Sequence, residues 1–158
     1  MDLLNTNNTP LTFRSFIYLI FLCLTGCSVS GRYYLRNFLE ESITITIEKE
    51  FEIPDSNLKS IIYPFENKIL DIKYSAYKKL TQQLTPQKID LKKVQLVIPP
   101  RSTVFIAIGS NDRINDVKSI EITTSTEKNT INPENRSKFN TRWGLGRYAV
   151  FYDITTKK

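Results

Sequence analysis

The chain has 158 residues, room for one domain around one core, and carries 22 Lys and Arg against 16 Asp and Glu. The net charge of +6 suits an anionic partner such as phospholipid head groups or a polyanion and says nothing of fold. Histidine is absent, which takes away the commonest general base, proton shuttle and neutral metal ligand, and much of enzyme chemistry with them.

Residues 1–14 are polar and Asn/Thr-rich, and the run Phe16-Ile17-Tyr18-Leu19-Ile20-Phe21-Leu22-Cys23-Leu24 follows. This is the n-region and h-region of an export signal. The run is shorter than the roughly 20 apolar residues that an ordinary membrane-crossing helix needs. Asp2 offsets Arg14, so this n-region lacks the usual positive charge. Both cysteines, Cys23 and Cys27, lie in or beside the apolar run, and their CxxxC spacing there is not that of a zinc or redox pair.

The run closes on Leu24-Thr25-Gly26-Cys27, which resembles the lipobox of bacterial lipoproteins. The resemblance implies diacylglyceryl transfer to the Cys27 thiol, cleavage between Gly26 and Cys27, and acylation of the new amine. The other reading is a plain secretory signal or an uncleaved anchor, with Cys27 a small buried hydrophobe. On the lipoprotein reading, residues 1–26 are the signal peptide, 27–31 the lipidated cysteine and a short tether, and 32–158 a single domain. Losing Cys23 would leave no disulfide, and a domain of roughly 130 residues can be held by its core alone.

The mature part favours β structure, because β-branched Ile and Thr are abundant and fit a pleated surface. Arg32-Tyr33-Tyr34-Leu35-Arg36-Asn37-Phe38 reads as extended, and a turn near 37–41 would make it a hairpin with the next strand. Over 42–53, Ile43, Ile45, Ile47, Phe51 and Ile53 alternate with polar residues, the pattern of a half-buried strand. Leu70, Ile72, Tyr74 and Ala76 predict a third such strand, after a loop with Pro54 and Pro64. Tyr77, Leu80 and Leu84 then fit either a short helical turn or an irregular connection.

Val94, Leu96 and Ile98 predict a strand that Pro99-Pro100 must end. Residues 103–108 are apolar on both faces, as a central strand would be. Another short strand is expected over 117–124, then a long exposed loop over 125–141, and a last strand over 147–154. About seven strands and no amphipathic helix of real length point to an all-β, antiparallel, Ig-like β-sandwich. An open barrel is the runner-up. The order of these features is similar to that in small uncharacterised lipoproteins of Bacteroidetes-type bacteria, a likeness that implies a compact β domain and carries no activity.

Four constellations bear on chemistry. Glu48, Glu50 and Glu52 share a strand side and could pair as acid and base, although a solvated face accounts for them. Asn111, Asp112, Asn115 and Asp116 could offer oxygens to Ca²⁺ but lack EF-hand order, and turn chemistry explains them. Gly144-Leu145-Gly146 lacks the rest of a phosphate loop. Arg142, Trp143, Arg147 and Tyr148 set the only Trp between cations, which either seals one end of the sandwich or stacks on a sugar ring or aromatic partner.

The expectation is therefore a non-enzymatic, lipid-anchored envelope module, with no catalytic, cofactor or metal residues. Its partners would be membrane lipid through acylated Cys27 and another envelope protein or a glycan, with no nucleic acid. A small envelope hydrolase and an immunity-type lipoprotein that blocks a toxin are the alternatives. Ser28, in place of Asp after the cysteine, points to the periplasmic face of the outer membrane.

Overall fold

The computed structural model describes residues 30–58, 61–110, 113–114, 116–144 and 147–156. Most of them are strand. The first half holds β1 (Ser30–Asn37), β2 (Ile43–Lys49), β3 (Tyr63–Glu66), β4 (Gln82–Leu84), β5 (Gln87–Lys88) and β6 (Lys93–Ile98). The second holds β7 (Ser102–Ser110), β8 (Arg113–Ile114), β9 (Val117–Thr123), β10 (Lys128–Ile131), β11 (Asn140–Gly144) and β12 (Arg147–Ile154). One sheet runs β11-β12-β1-β7-β3-β4 with β8 beside β7, and the other runs β10-β9-β2-β6-β5. Among the described residues, twelve strand segments therefore replace the expected seven or so, several of them only two to four residues long. Among the described residues neither sheet closes into a barrel.

Alternation places the core. Ile43, Ile45 and Ile47 of β2 join Leu96, Ile98, Ile120 and Ile122 of their own sheet and Tyr33, Leu35, Val104, Ile106 and Val150 of the other in one buried cluster. The opposite face of the first sheet is also covered. There Tyr34, Phe105, Ala149 and Phe151 pack under Leu70, Ile72 and Ala76. This explains why 103–108 is apolar on both sides: β7 lies between β1 and β3, with Val104 and Ile106 toward one cluster and Phe105 toward the other. The final strand falls where the sequence put it, at Arg147–Ile154.

Five expectations are corrected. First, β1 and β2 form no hairpin, because each enters a different sheet. β1 instead sits between β7, antiparallel, and β12, parallel, so the first sheet is mixed rather than antiparallel. Second, residues 70–76 are not a strand. They are the cover just described, leading into a 3-10 turn at Tyr74–Lys79, and an extended segment lying across a sheet also buries every second side chain.

Third, that turn begins three residues before the expected Tyr77, and the chain then returns to extended β4. Fourth, the stretch 125–141 is not a loop: it holds β10, a 3-10 turn at Arg136–Lys138 and the start of β11. Both strands are sheet edges, whose exposed sides accept polar residues, so composition hid them. Fifth, β2 ends at Lys49 after an irregularity in its pairing with β9, which leaves Phe51 66% exposed rather than on the core.

The two sheets are tied together where the chain passes between them. Asn37, fully buried, donates from Nδ2 to the carbonyls of Glu41 and Pro99, both at 2.9 Å, and accepts from the Leu39 N–H at 3.0 Å. Both crossings at that end, β1 to β2 and β6 to β7, thus share one carboxamide. The cover is held similarly. The Thr103 hydroxyl donates to the Lys68 carbonyl at 2.9 Å and accepts from the Leu70 N–H at 3.0 Å. Arg36, paired with both Asp153 oxygens at 2.6 and 2.7 Å, donates to the Leu70 carbonyl at 3.1 Å.

Two outcomes are expected. Asn37→Ala removes three hydrogen bonds and leaves the Leu39 N–H and the Glu41 carbonyl without this partner, the Pro99 carbonyl keeping the Ser102 hydroxyl at 2.6 Å. It should cost about 3 kcal/mol in urea unfolding, with Asn37→Asp at least as damaging because its carboxylate would face both carbonyls. Alkali should also destabilise the fold. Burial raises the Tyr63 phenol and pushes Tyr34 up to about 12. Their contribution is complete below the unfolded value near pH ~10 and is lost as pH rises through the folded values. Among the described residues the buried Tyr63 hydroxyl has no hydrogen-bond partner, so Tyr63→Phe should raise stability by about 1 kcal/mol at neutral pH and shallow the alkaline decline.

Candidate functional site

Leu24-Thr25-Gly26-Cys27, the segment that resembles a lipobox, lies outside the described residues. The nearest described residue is Ser30, the start of β1. In the first sheet Ser30 is level with Arg147 on one side and Ser110 on the other. The second sheet runs end-aligned with it: Ile114 of β8 pairs back to Gly109, and three residues later Val117 is level with Lys49. The molecule therefore has a Ser30 end and an Asn37 end, and each carries its own surface.

Near the Ser30 end, register separates the four candidate surface residues. Trp143 pairs with Tyr148 and Arg142 with Ala149, so Trp143 and Tyr148 project to one side of the sheet while Arg142 and Arg147 project to the other. Tyr148 is buried, and its ring lies across β1 so closely that a Cβ at Gly31 would stand 2.2 Å from it. Glycine at position 31 is what admits the ring. Trp143 rests on Tyr148 with ring centroids 5.1 Å apart and stays 69% exposed. It does not seal the core.

On the other side the arginines join residues that sequence spacing did not connect. The Arg147 guanidinium lies 4.9 Å from the Tyr74 ring centroid, and Arg32 lies 4.4 Å from both Tyr74 and Tyr77. Tyr77 meets Phe105 edge-on at 4.9 Å. The result is a ladder of alternating cation and ring over the sheet, each contact worth about 0.5–1 kcal/mol where exposed. Arg142 reaches Asp71 at 3.8 Å, and Lys73 reaches the same carboxylate at 3.6 Å. Exposed pairs of this kind contribute little stability and leave the cations available.

At the Asn37 end the loops enclose open hollows. One of about 610 Å³ is lined by Leu39, Glu40, Glu41, Arg101 and Thr155, among others, and another of about 310 Å³ adjoins it between Glu41 and residues 124–127. Arg101, at φ 50°, donates from Nε to Glu40 at 2.8 Å. Four loops distant in sequence build this rim, so no spacing could have announced it.

The other constellations disperse. The Lys118 ammonium donates to Glu48 at 2.7 Å and holds its carboxyl below the ordinary range, the hydrogen bond being the largest cause. Glu50 and Glu52 lie beyond the end of β2, exposed, so the three do not share a strand face. Asn111, Asp112 and Asn115 lie outside the described residues, as do Leu145 and Gly146. Asp116 takes a left-handed turn, φ 62°, and its carbonyl accepts the Glu50 N–H at 3.1 Å. Among the described residues no three His, Cys, Asp or Glu side chains converge as metal ligands, and no helix is long and apolar enough to cross a membrane.

Trp143→Ala should leave thermal stability within about 0.5 kcal/mol of the parent, as for other exposed positions. A loss of several kcal/mol, the mark of an emptied core position, would contradict the exposed placement. The chain matches no protein-family profile, no curated protein and no solved structure.

Proposed function

We propose that this chain is a bacterial lipoprotein whose mature part, a β-sandwich, is a non-enzymatic binding module held on the cell envelope by acylated Cys27. The observation that carries the reading is Leu24-Thr25-Gly26-Cys27 at the end of a nine-residue apolar run. Large aliphatic, small, small and cysteine meet the chemical needs of lipid transfer: an extended peptide in a narrow site and a thiol nucleophile. The place of β1 supports it. A strand flanked on both sides within its sheet, three residues past the anchoring cysteine, ties the anchor to the core.

The module meets another envelope protein or a glycan through the loops of the Asn37 end, where the hollows beside Glu40, Glu41 and Arg101 offer hydrogen-bonding rims. Ser28 supports the periplasmic face of the outer membrane as its address. Labelled palmitate tests the anchor. The wild type should take up label and Cys27→Ser should not, remaining an unprocessed or soluble precursor. Label in Cys27→Ser, or none in the wild type, would end the reading.

A further inference from the structure

The exposed apolar side chains are not spread evenly. Phe51, Ile89, Leu91, Ile108 and Trp143 are 66%, 50%, 60%, 51% and 69% exposed, and all belong to the Ser30 end. Trp143 is one residue from the Gly144–Arg147 pair, and Ile108 is level with Arg32. Ile89 and Leu91 belong to the β5–β6 connection, where the Ile89 N–H bonds the Lys93 carbonyl and the Ile53 N–H bonds that of Leu91, two residues from Phe51. Toward the Asn37 end stands Val97, level with Thr44. The acids there, Glu40, Glu41 and Glu127, stand among the cations Arg101, Lys68 and Lys128.

We infer that the Ser30 end is a membrane-docking surface, seated on an anionic phospholipid leaflet with Trp143, Phe51 and Leu91 dipping among the head groups. The inference rests on the anchor proposed above. From Cys27 to Ser30 three extended residues reach at most about 11 Å, so a lipidated Cys27 brings this end, and not the glutamate-bearing one, to the bilayer. Trp143 lies at the outer strand of one sheet and Leu91 beside an outer strand of the other, giving contacts across the width of the end. Exposed apolar groups of this kind mark contact sites, and Trp is favoured at the lipid–water boundary.

Charge agrees on one side and limits depth on the other. Arg142 and Arg147, both exposed, belong to Trp143's strand pair and can meet lipid phosphates at the edge of this end, while Arg32 stays against Tyr74 and Tyr77. Each cation near such a surface adds attraction that fades within a Debye length. Around Phe51 and Leu91 stand Glu50, Glu52, Asp90 and Asp116 together with Lys49, Lys92 and Lys93. That mixture holds the domain at head-group level, short of the hydrocarbon.

Trp143 is the only tryptophan of the chain, so its emission reports on this surface alone. The palmitate-labelled, full-length processed protein is reconstituted in phosphatidylglycerol-containing vesicles whose acyl chains are brominated near the head group. Trp143 emission should shift to the blue and be largely quenched, and the quenching should be lost in Phe51→Asp/Leu91→Asp, whose thermal midpoint should match the parent because both positions are exposed. Labelled protein whose Trp143 is not quenched overturns the docking surface and leaves the anchor standing. Absence of label overturns both. A blue shift without quenching, accompanied by cross-linking between two copies, assigns the surface to self-association and overturns the inference as well.

Discussion

Everything about the arrangement of this molecule depends on the carboxamide of Asn37. A buried amide with both donors and its oxygen engaged leaves no cheap alternative geometry, since any slip strands a polar group away from water. Because it binds two backbone groups of the β1 to β2 crossing and one of the β6 to β7 crossing, it sets the two sheets in step at that end. The Ser30 end is then aligned by default, through the short β7–β8–β9 turn. The chain gains two ends of different chemistry, one bearing loops with glutamates, the other bearing the entry point and most of the exposed apolar groups.

The outer layer of the first sheet follows a different logic. Residues 70–80 cover Tyr34, Phe105 and Phe151 with few apolar side chains, and the coverage is completed by guanidinium groups: Arg36 over Phe151 at 4.2 Å and Arg32 over Tyr74 and Tyr77. Arginine stems lie along rings while their heads stay hydrated or paired, so a small domain can shield a second sheet face without a second full core. The Thr103 and Arg36 bonds to residues 68 and 70 register this layer on the strands beneath.

Much of the strand content was legible because period-2 alternation survives wherever a strand has one wet face: β2, β6, β9 and β12 lie close to where the pattern put them. β7 was legible for the opposite reason, being covered twice. Pairing was not legible. Nothing in Arg32 to Ile53 distinguishes a hairpin from a crossing, because the deciding group is one Asn whose partners come partly from Pro99. Edge strands β10 and β11 are polar and read as loop, and Trp143, which the sequence allowed as either a core seal or a stacking surface, stands at the surface because Tyr148 already fills the space over Gly31. The ladder of Arg32, Tyr74 and Arg147 draws on three separate segments, so only the fold assembles it.

The parallel pairing of β1 with β12 bears on when the domain can form at all. Arg36 and Asp153, partners across that pair, are 117 positions apart, and one edge of β1 stays unpaired until the last strand arrives. Contacts of such separation slow folding, because the closure of the intervening chain must come before they reward it. On the export proposed above, the strand of Tyr33, Tyr34 and Leu35 would emerge first and complete its pairing last. The interval between is the time in which the unpaired edge of a tyrosine-rich strand is open to pairing with a neighbouring copy of itself.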